Sequence, residues 1–242
     1  MRLDQRKAGD LRPVRFQRDF QYHPAGSVLV EVGRTRVLCA VSIVPGVPRW
    51  RNEQGTPGGW LTSEYQMLPG ATAGRTQRES GRTGPSGRSQ EIQRLIGRSL
   101  RAVLDLTQIG QRTIYVDCDV LDADGGTRCA SITGASVALD LALRKLFTSG
   151  ELTAWPLREQ VAAVSVGMVE GEPLLDLAYQ EDSAAAVDMN VVMTAGGRFV
   201  EVQGTAEGAP FSERELQEML TLARSGLDRL FALQREALAQ PV

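Results

Sequence analysis

Residues 122–135 read Asp-Ala-Asp-Gly-Gly-Thr-Arg-Cys-Ala-Ser-Ile-Thr-Gly-Ala (DADGGTRCASITGA), and the fold turns on them. Just upstream, RTIYVDCDV at residues 112–120 alternates Ile114, Val116, Cys118 and Val120 with polar residues, the period of a half-buried strand. Just downstream, Ala130, Gly134 and Ala138 recur every four residues, a stripe of small side chains that lets a helix lie close against a sheet. A strand therefore runs into a helix through two glycines. The first amides of such a helix have no partner within it and attract anions. Thr127 and Arg128 stand at that opening.

Composition sets the bounds. A chain of 242 residues, 42% hydrophobic and 23% charged, suffices for one large domain or two small ones with real cores. No apolar run approaches the roughly 20 residues of a membrane helix. The N-terminal MRLDQRKAGD has no apolar signal core. The expectation is a cytoplasmic protein with no membrane partner. Cys39, Cys118 and Cys129 are widely spaced and form no CxxC pair, so they read as small buried residues in a reducing compartment.

A net charge of −2 gives no global reason to expect a nucleic acid, but the distribution does. Arg75, Arg78, Arg82, Arg88, Arg94, Arg98 and Arg101 crowd one region against only Glu79 and Glu91. Arginine bias of a genome explains the scarcity of lysine, but not this clustering. Three of the seven lie in PGATAGRTQRESGRTGPSG, residues 69–87, a loop without hydrophobic periodicity. Loops longer than about 12–15 residues inside compact domains are usually functional or disordered. Arg75, Arg78 and Arg82 on such an arm suit the backbone of RNA.

The next segment, GRSQEIQRLIGRSLRAVLDL, places Ile92, Leu95, Ile96, Leu100, Val103 and Leu104 on one helical stripe. Arg94, Arg98 and Arg101 fall opposite, on a solvated or subunit-facing surface. Arg88 sits in the first turn, near amides that favour an anion. Arg88 at one helix start and Arg128 beside Thr127 at another are expected to converge on one phosphate.

The second half, taken as residues 151–242 after a first unit of 1–150, reads as another α+β unit. VAAVSVGMVEG and PLLDLAY suggest strands, and DMNVVMTAGGRFVEVQG a hairpin turning at Gly196-Gly197. A long C-terminal helix starts at a capping box, Ser212 with Glu215. Asp182 and Asp188 stand six residues apart, with Asp176 and Glu181 nearby. That spacing permits a Mg²⁺ site, which uses one or two carboxylates, but acidic turns are also common. Lys7 and Lys145 are far away in sequence, so no local cation is expected to neutralise the pair. The single histidine, His23, excludes a two-histidine acid/base mechanism within one chain. Neither GxxxxGK[ST] nor HExxH occurs.

Several blocks in order carry a resemblance: LRPV from Leu11, GSVLVE, EYQMLP, SGRSQEIQRLIGRSLRAV, DCDV, DADGGTRCASITGA, EDSAAAVDMNVVMT and VQGTAEGAPF. Along nearly its whole length the chain resembles the bacterial ribonuclease PH family. The resemblance implies an α/β (α+β) fold of two βαβα-type halves, assembled as a homohexamer, a trimer of dimers. It implies a phosphate-dependent 3′ to 5′ exoribonuclease, or tRNA nucleotidyltransferase. Such an enzyme trims the 3′ ends of tRNA precursors, releases nucleoside diphosphates, and adds nucleotides in reverse. Phosphate, the co-substrate, is assigned to Arg88, Gly126, Thr127 and Arg128. Catalysis and the metal, Mg²⁺ or Mn²⁺, fall to Asp182 and Asp188, with Arg128 also catalytic. Gln5 replaces a glycine of the family's Asp-Gly-Arg pattern, and Gly70 an arginine. The alternative is a catalytically silent RNA-binding subunit of an exosome-like ring, which would be expected to lose the phosphate arginines or the carboxylates.

Overall fold

The stretch from Thr127 to Leu143 is buried at every residue except Arg128, so this helix must be covered on more than one side. Two sheets cover it. In this computed structural model, which describes residues 2, 4–79 and 84–239, the first sheet holds β1 (Val14–Arg18), β2 (Gly26–Val32), β3 (Thr35–Pro45), β4 (Trp60–Met67) and β5 (Arg112–Asp122). Their order is β1-β2-β3-β5-β4, antiparallel throughout except that β4 runs parallel to β5. A short helix, α1 (Arg49–Glu53), leads into β4, and α2 (Gly87–Val103) crosses over from β4 towards β5. The central helix is α3 (Thr127–Thr148). Among the described residues no helix is long and apolar enough to cross a membrane.

The small-residue stripe does what its spacing implied. A Cβ on Gly134 would come within 2.6 Å of Val30 Cγ1 and 2.9 Å of Cys39 Sγ, so α3 rests directly on β2 and β3. Gly134→Ala is therefore expected to lower stability. Overpacking a core costs about 1–3 kcal/mol, more than the helix preference of about 1 kcal/mol that alanine returns. Urea denaturation should show a lower midpoint, and a raised one would refute the contact.

The second sheet comprises β6 (Val161–Val169), β7 (Glu172–Leu175), β8 (Val187–Thr194) and β9 (Phe199–Ala206), antiparallel in the order β7-β6-β8-β9. β6 is buried on both faces, as its unbroken run of small and apolar residues requires. Val161 and Ala163 join the core around α3, whereas Ala162, Val164 and Val166 join a second core with Met219, Leu227 and Phe231. The latter three lie on α5 (Glu213–Ala239), which opens on the expected capping box: Glu215 N donates to Ser212 Oγ, and Ser212 N to Glu215 Oε2. Gln234, fully buried on α5, donates to the carbonyls of Thr133 and Val161 and pins all three layers together. Among the described residues the architecture is a mixed α/β fold with two sheets and five α-helices, and the α/β class is as expected.

Three local readings need revision. The strand read across PLLDLAY stops at Leu175, because Asp176 adopts φ +54° and turns the chain into α4 (Tyr179–Asp182). β4 was not anticipated, although Leu61, Ser63 and Tyr65 are buried in alternation with Thr62, Glu64 and Gln66. Arg101 does not lie on a solvated face; its guanidinium stacks 4.8 Å from the Trp60 ring centroid and donates to Leu61 O. Arg98 is exposed, as expected, and pairs with Glu201 of β9. Gln5 sits at φ +64°, a conformation a glycine adopts without strain, which accounts physically for the glycine of the family pattern.

The arginine loop is irregular over its described residues. Its base is fixed, since Ala71 is buried and its carbonyl accepts from Ala123 N. Arg75 and Arg78 are exposed, and Arg82 lies outside the described residues.

Candidate active site

Gly125 and Gly126, at φ +77° and +67°, form the left-handed link that swings the chain from the end of β5 into α3. A Cβ on Gly125 would stand 2.5 Å from the Leu177 carbonyl oxygen, so only glycine lets this turn press on the segment before α4. Neither glycine's amide donates a hydrogen bond among the described residues. Thr127, buried at the first position of α3, holds its hydroxyl 2.8 Å from that of Tyr65 on β4. Burial pushes the Tyr65 hydroxyl above the ordinary phenol value, while Arg88 and Arg128 pull it down. Both arginine charges, one from the start of α2 and one from the start of α3, thus act on this hydroxyl.

Arg128 is held by its neighbours. Its Nη1 donates to Gln203 Oε1 on β9 at 2.7 Å and to Glu91 Oε1 on α2 at 3.3 Å. Its Nε and Nη2 make no hydrogen bond among the described residues, leaving one edge of the guanidinium for an anion. Arg88 is exposed in the first turn of α2, behind the N-cap Ser86, whose hydroxyl accepts from Ser89 N. It forms no ion pair among the described residues.

Asp182 closes α4 and Asp188 lies on β8. Asn190, two residues along the same strand and so on the same face, accepts from Cys129 Sγ of α3, which turns this face of β8 toward the start of α3. Burial pushes the Cys129 thiol up to about 12, so it remains a neutral packing group there. Asp182 is exposed as a residue, yet partial desolvation of its carboxylate, then the charge of Asp188, raise its pKa above the usual value. Arg88, Arg128 and Arg12 oppose that rise. No cation local in sequence accompanies the pair, as expected; the opposing charges are arginines brought in by the fold from three other segments.

Asp182 and Asp188 are electrostatic neighbours, and among the described residues no group of three or more His, Cys, Asp or Glu side chains could hold a metal. That donor set fits Mg²⁺ or Mn²⁺, hard ions that take one or two carboxylates and fill other positions with water and substrate phosphate. Asp176 and Glu181 are engaged elsewhere. Asp176 is bound by Arg12, and Glu181 by Arg2 at 2.7 Å.

Sequence reading missed Tyr65, Glu91, Gln203 and Arg12, and named Asp176 only as an acidic neighbour of the carboxylate pair. Tyr65 carried a signal, since it occupies a buried phase of an alternating segment and brings a hydroxyl with it. Nothing local marked the others, because their partners lie far along the chain.

Family profiles match both halves of the chain. The profile described as 3′ exoribonuclease family, domain 1, matches residues 10–144, and domain 2 matches residues 159–226. The chain belongs to the 3′ exoribonuclease family. Solved structures share the fold of this family member from end to end. Rice (Oryza sativa) Rrp46 is 20% identical with a TM-score of 0.80, the match covering 99% of this chain and 100% of that one. A chain of the Archaeoglobus fulgidus exosome with RNA bound to the active site is 24% identical with a TM-score of 0.76, covering 94% and 90%. One from an archaeal exosome core is 23% identical with a TM-score of 0.75, covering 99% and 91%.

Proposed function

We propose that this family member is a phosphate-dependent 3′ to 5′ exoribonuclease of the bacterial ribonuclease PH type, acting on the 3′ ends of tRNA precursors as a homohexameric ring. The observation that carries this reading is that Arg88 and Arg128, each at a helix start, act electrostatically both on Tyr65, which is hydrogen-bonded to Thr127, and on Asp182, the neighbour of Asp188. Membership in a 3′ exoribonuclease family supports the reaction class, and the fold shared with an exosome described with RNA at its active site supports the substrate. A cytoplasmic address belongs to the same proposal.

The chief obstacle to phosphorolysis is repulsion between an orthophosphate dianion and an anionic phosphodiester. The free edge of Arg128, Arg88, the Thr127 hydroxyl and the Gly126 amide hold orthophosphate against that repulsion and fix its line of approach. A phosphate oxygen then bonds to the phosphorus of the terminal phosphodiester, and the bond to the 3′ oxygen of the preceding nucleotide breaks. The products are a nucleoside 5′-diphosphate and an RNA shortened by one residue. Asp182 serves in proton transfer to the departing 3′ oxygen. Asp182 and Asp188 would hold Mg²⁺ or Mn²⁺, which supplies neutralisation of charge on the reacting phosphoryl oxygens.

The test is incubation of 3′-extended tRNA with and without inorganic phosphate, followed by separation of nucleoside mono- and diphosphates. Diphosphates that vanish when phosphate is withdrawn are expected. Monophosphates formed at an undiminished rate without phosphate would mean hydrolysis, and RNA binding without any product would mean a silent ring subunit.

A further inference from the structure

Beneath the glycine turn runs a buried chain of charges with no part in the chemistry just described. Arg12 and Asp176 are each 4% exposed and lie 164 residues apart in sequence. Asp176 Oδ1 accepts from Arg12 Nη2 at 2.7 Å, and Oδ2 from Arg12 Nε at 3.0 Å and from its backbone amide at 2.8 Å. The guanidinium beside it holds the Asp176 carboxyl below the usual range despite burial, which pushes the other way. Arg6 and Arg2 complete the network, Arg6 lying 3.6 Å from Asp176 and Arg2 donating both to the Asp176 carbonyl and to Glu181.

The rest of the Arg12 guanidinium faces the phosphate turn. Nη1 donates to the carbonyl of Asp124 at 2.5 Å and Nη2 to that of Gly125 at 3.4 Å. Thr35 grips the same turn from β3, its hydroxyl donating to Gly125 O at 2.7 Å and accepting from Asp124 N at 2.9 Å. In a planar trans peptide the carbonyl and the following N–H point in opposite directions. Holding the carbonyls of Asp124 and Gly125 inward therefore aims the amides of Gly125 and Gly126 outward. Asp176 acts on the other wall as well. Its left-handed backbone ends β7 and sets the course of residues 177–179, against which Gly125 rests and from which α4 carries Asp182.

We propose that Arg12 and Asp176 are positioning residues: the pair aims the turn amides at phosphate and holds the phosphate turn and the Asp182 helix in register. This deepens the phosphorolytic reading and rests on it. A purely structural pair would weaken stability and RNA binding together when altered, and would leave phosphate affinity no more affected than the rest.

Three variants test it. Arg12→Lys keeps the charge but loses the fork that reaches two carbonyls. Asp176→Asn keeps size and tolerance of a left-handed backbone while losing charge. Thr35→Val removes the second grip without disturbing a buried charge, and decides the matter should Arg12→Lys not fold. Each is compared with wild type in phosphate KM, kcat, RNA affinity, and calorimetric binding of inorganic phosphate. By the scale of supporting groups around a site, Arg12→Lys should raise phosphate KM and phosphate Kd by about 10–100-fold. Asp176→Asn should raise them by about 10-fold and Thr35→Val by a few-fold, roughly the lower end of that scale. RNA affinity should stay within about twofold, the loss being confined to the phosphate turn. Folded variants with wild-type phosphate binding would overturn the proposal. Wild type that binds phosphate but does not use it in turnover would instead overturn the phosphorolytic reading, leaving the positioning role to be judged by calorimetry.

Discussion

Arg128→Ala is expected to lower kcat/KM by about 10²–10³-fold, the usual cost of removing one preorganised electrostatic donor. Arg128 is the best-placed such donor here. Gln203 and Glu91 together occupy Nη1 and hold the guanidinium, while the opposite edge has no hydrogen-bond partner among the described residues. A group already fixed before phosphate arrives loses little entropy on binding it. Arg128→Lys should recover only part of the rate, because an ammonium offers a point charge in place of a fork. Arg88→Ala should fall in the same range. Its side chain has no comparable supports among the described residues, so Arg88→Lys should recover more than Arg128→Lys does. Steady-state kinetics at varied phosphate, with circular dichroism to verify folding, gives the measurement. Wild-type phosphate dependence in both alanine variants would place the cradle elsewhere.

Asp182→Asn and Asp188→Asn should each reduce turnover by at least about 10²–10³-fold, on the same scale for one electrostatic group, while leaving RNA affinity nearly intact. Each keeps the size of the side chain and removes the charge that would hold a divalent ion. Removing charge from Asp182 also removes a carboxylate that desolvation and Asp188 hold above its ordinary pKa, so this variant should lose rate without losing stability. Neutralising Arg75, Arg78 and Arg82 together should do the reverse. Arg75 and Arg78 are exposed with no ion pair among the described residues, as suits groups that meet a phosphate backbone from solution. Fewer phosphate contacts release fewer counterions, so RNA binding should weaken and depend less steeply on salt. Single-turnover rates at saturating RNA should largely persist. Titration of labelled RNA across salt concentrations, paired with single-turnover timing, separates the two sets. Loss of RNA affinity in the Asp variants as severe as their loss of rate would refute the division, as would an unchanged salt slope in the triple variant.

What the sequence alone determined is whatever a single segment's burial encodes. The two-residue period of β5, the small-residue stripe of α3, the apolar stripe of α2 and the capping box at Ser212 each report how one element meets the core, and each agrees with the structure. The glycine pair marked the turn from β5 into α3, a link made through left-handed backbone that glycine reaches without strain. β4 was legible by the same rule and went unread. The tertiary structure alone decided which charges meet. Arg12 finds Asp176 across 164 residues, Arg128 finds Gln203 across 75, and Arg101 finds the Trp60 ring rather than solvent. Hydrophobic periodicity survives in a local window because every buried face needs apolar side chains whatever its partner. A charged side chain needs one particular partner, and that partner's identity depends on how the strands are ordered and which helix lies between the sheets. Hence the sequence exposed the helix starts and carboxylates as candidates, while the supports that aim them became visible only once two sheets had closed on α3.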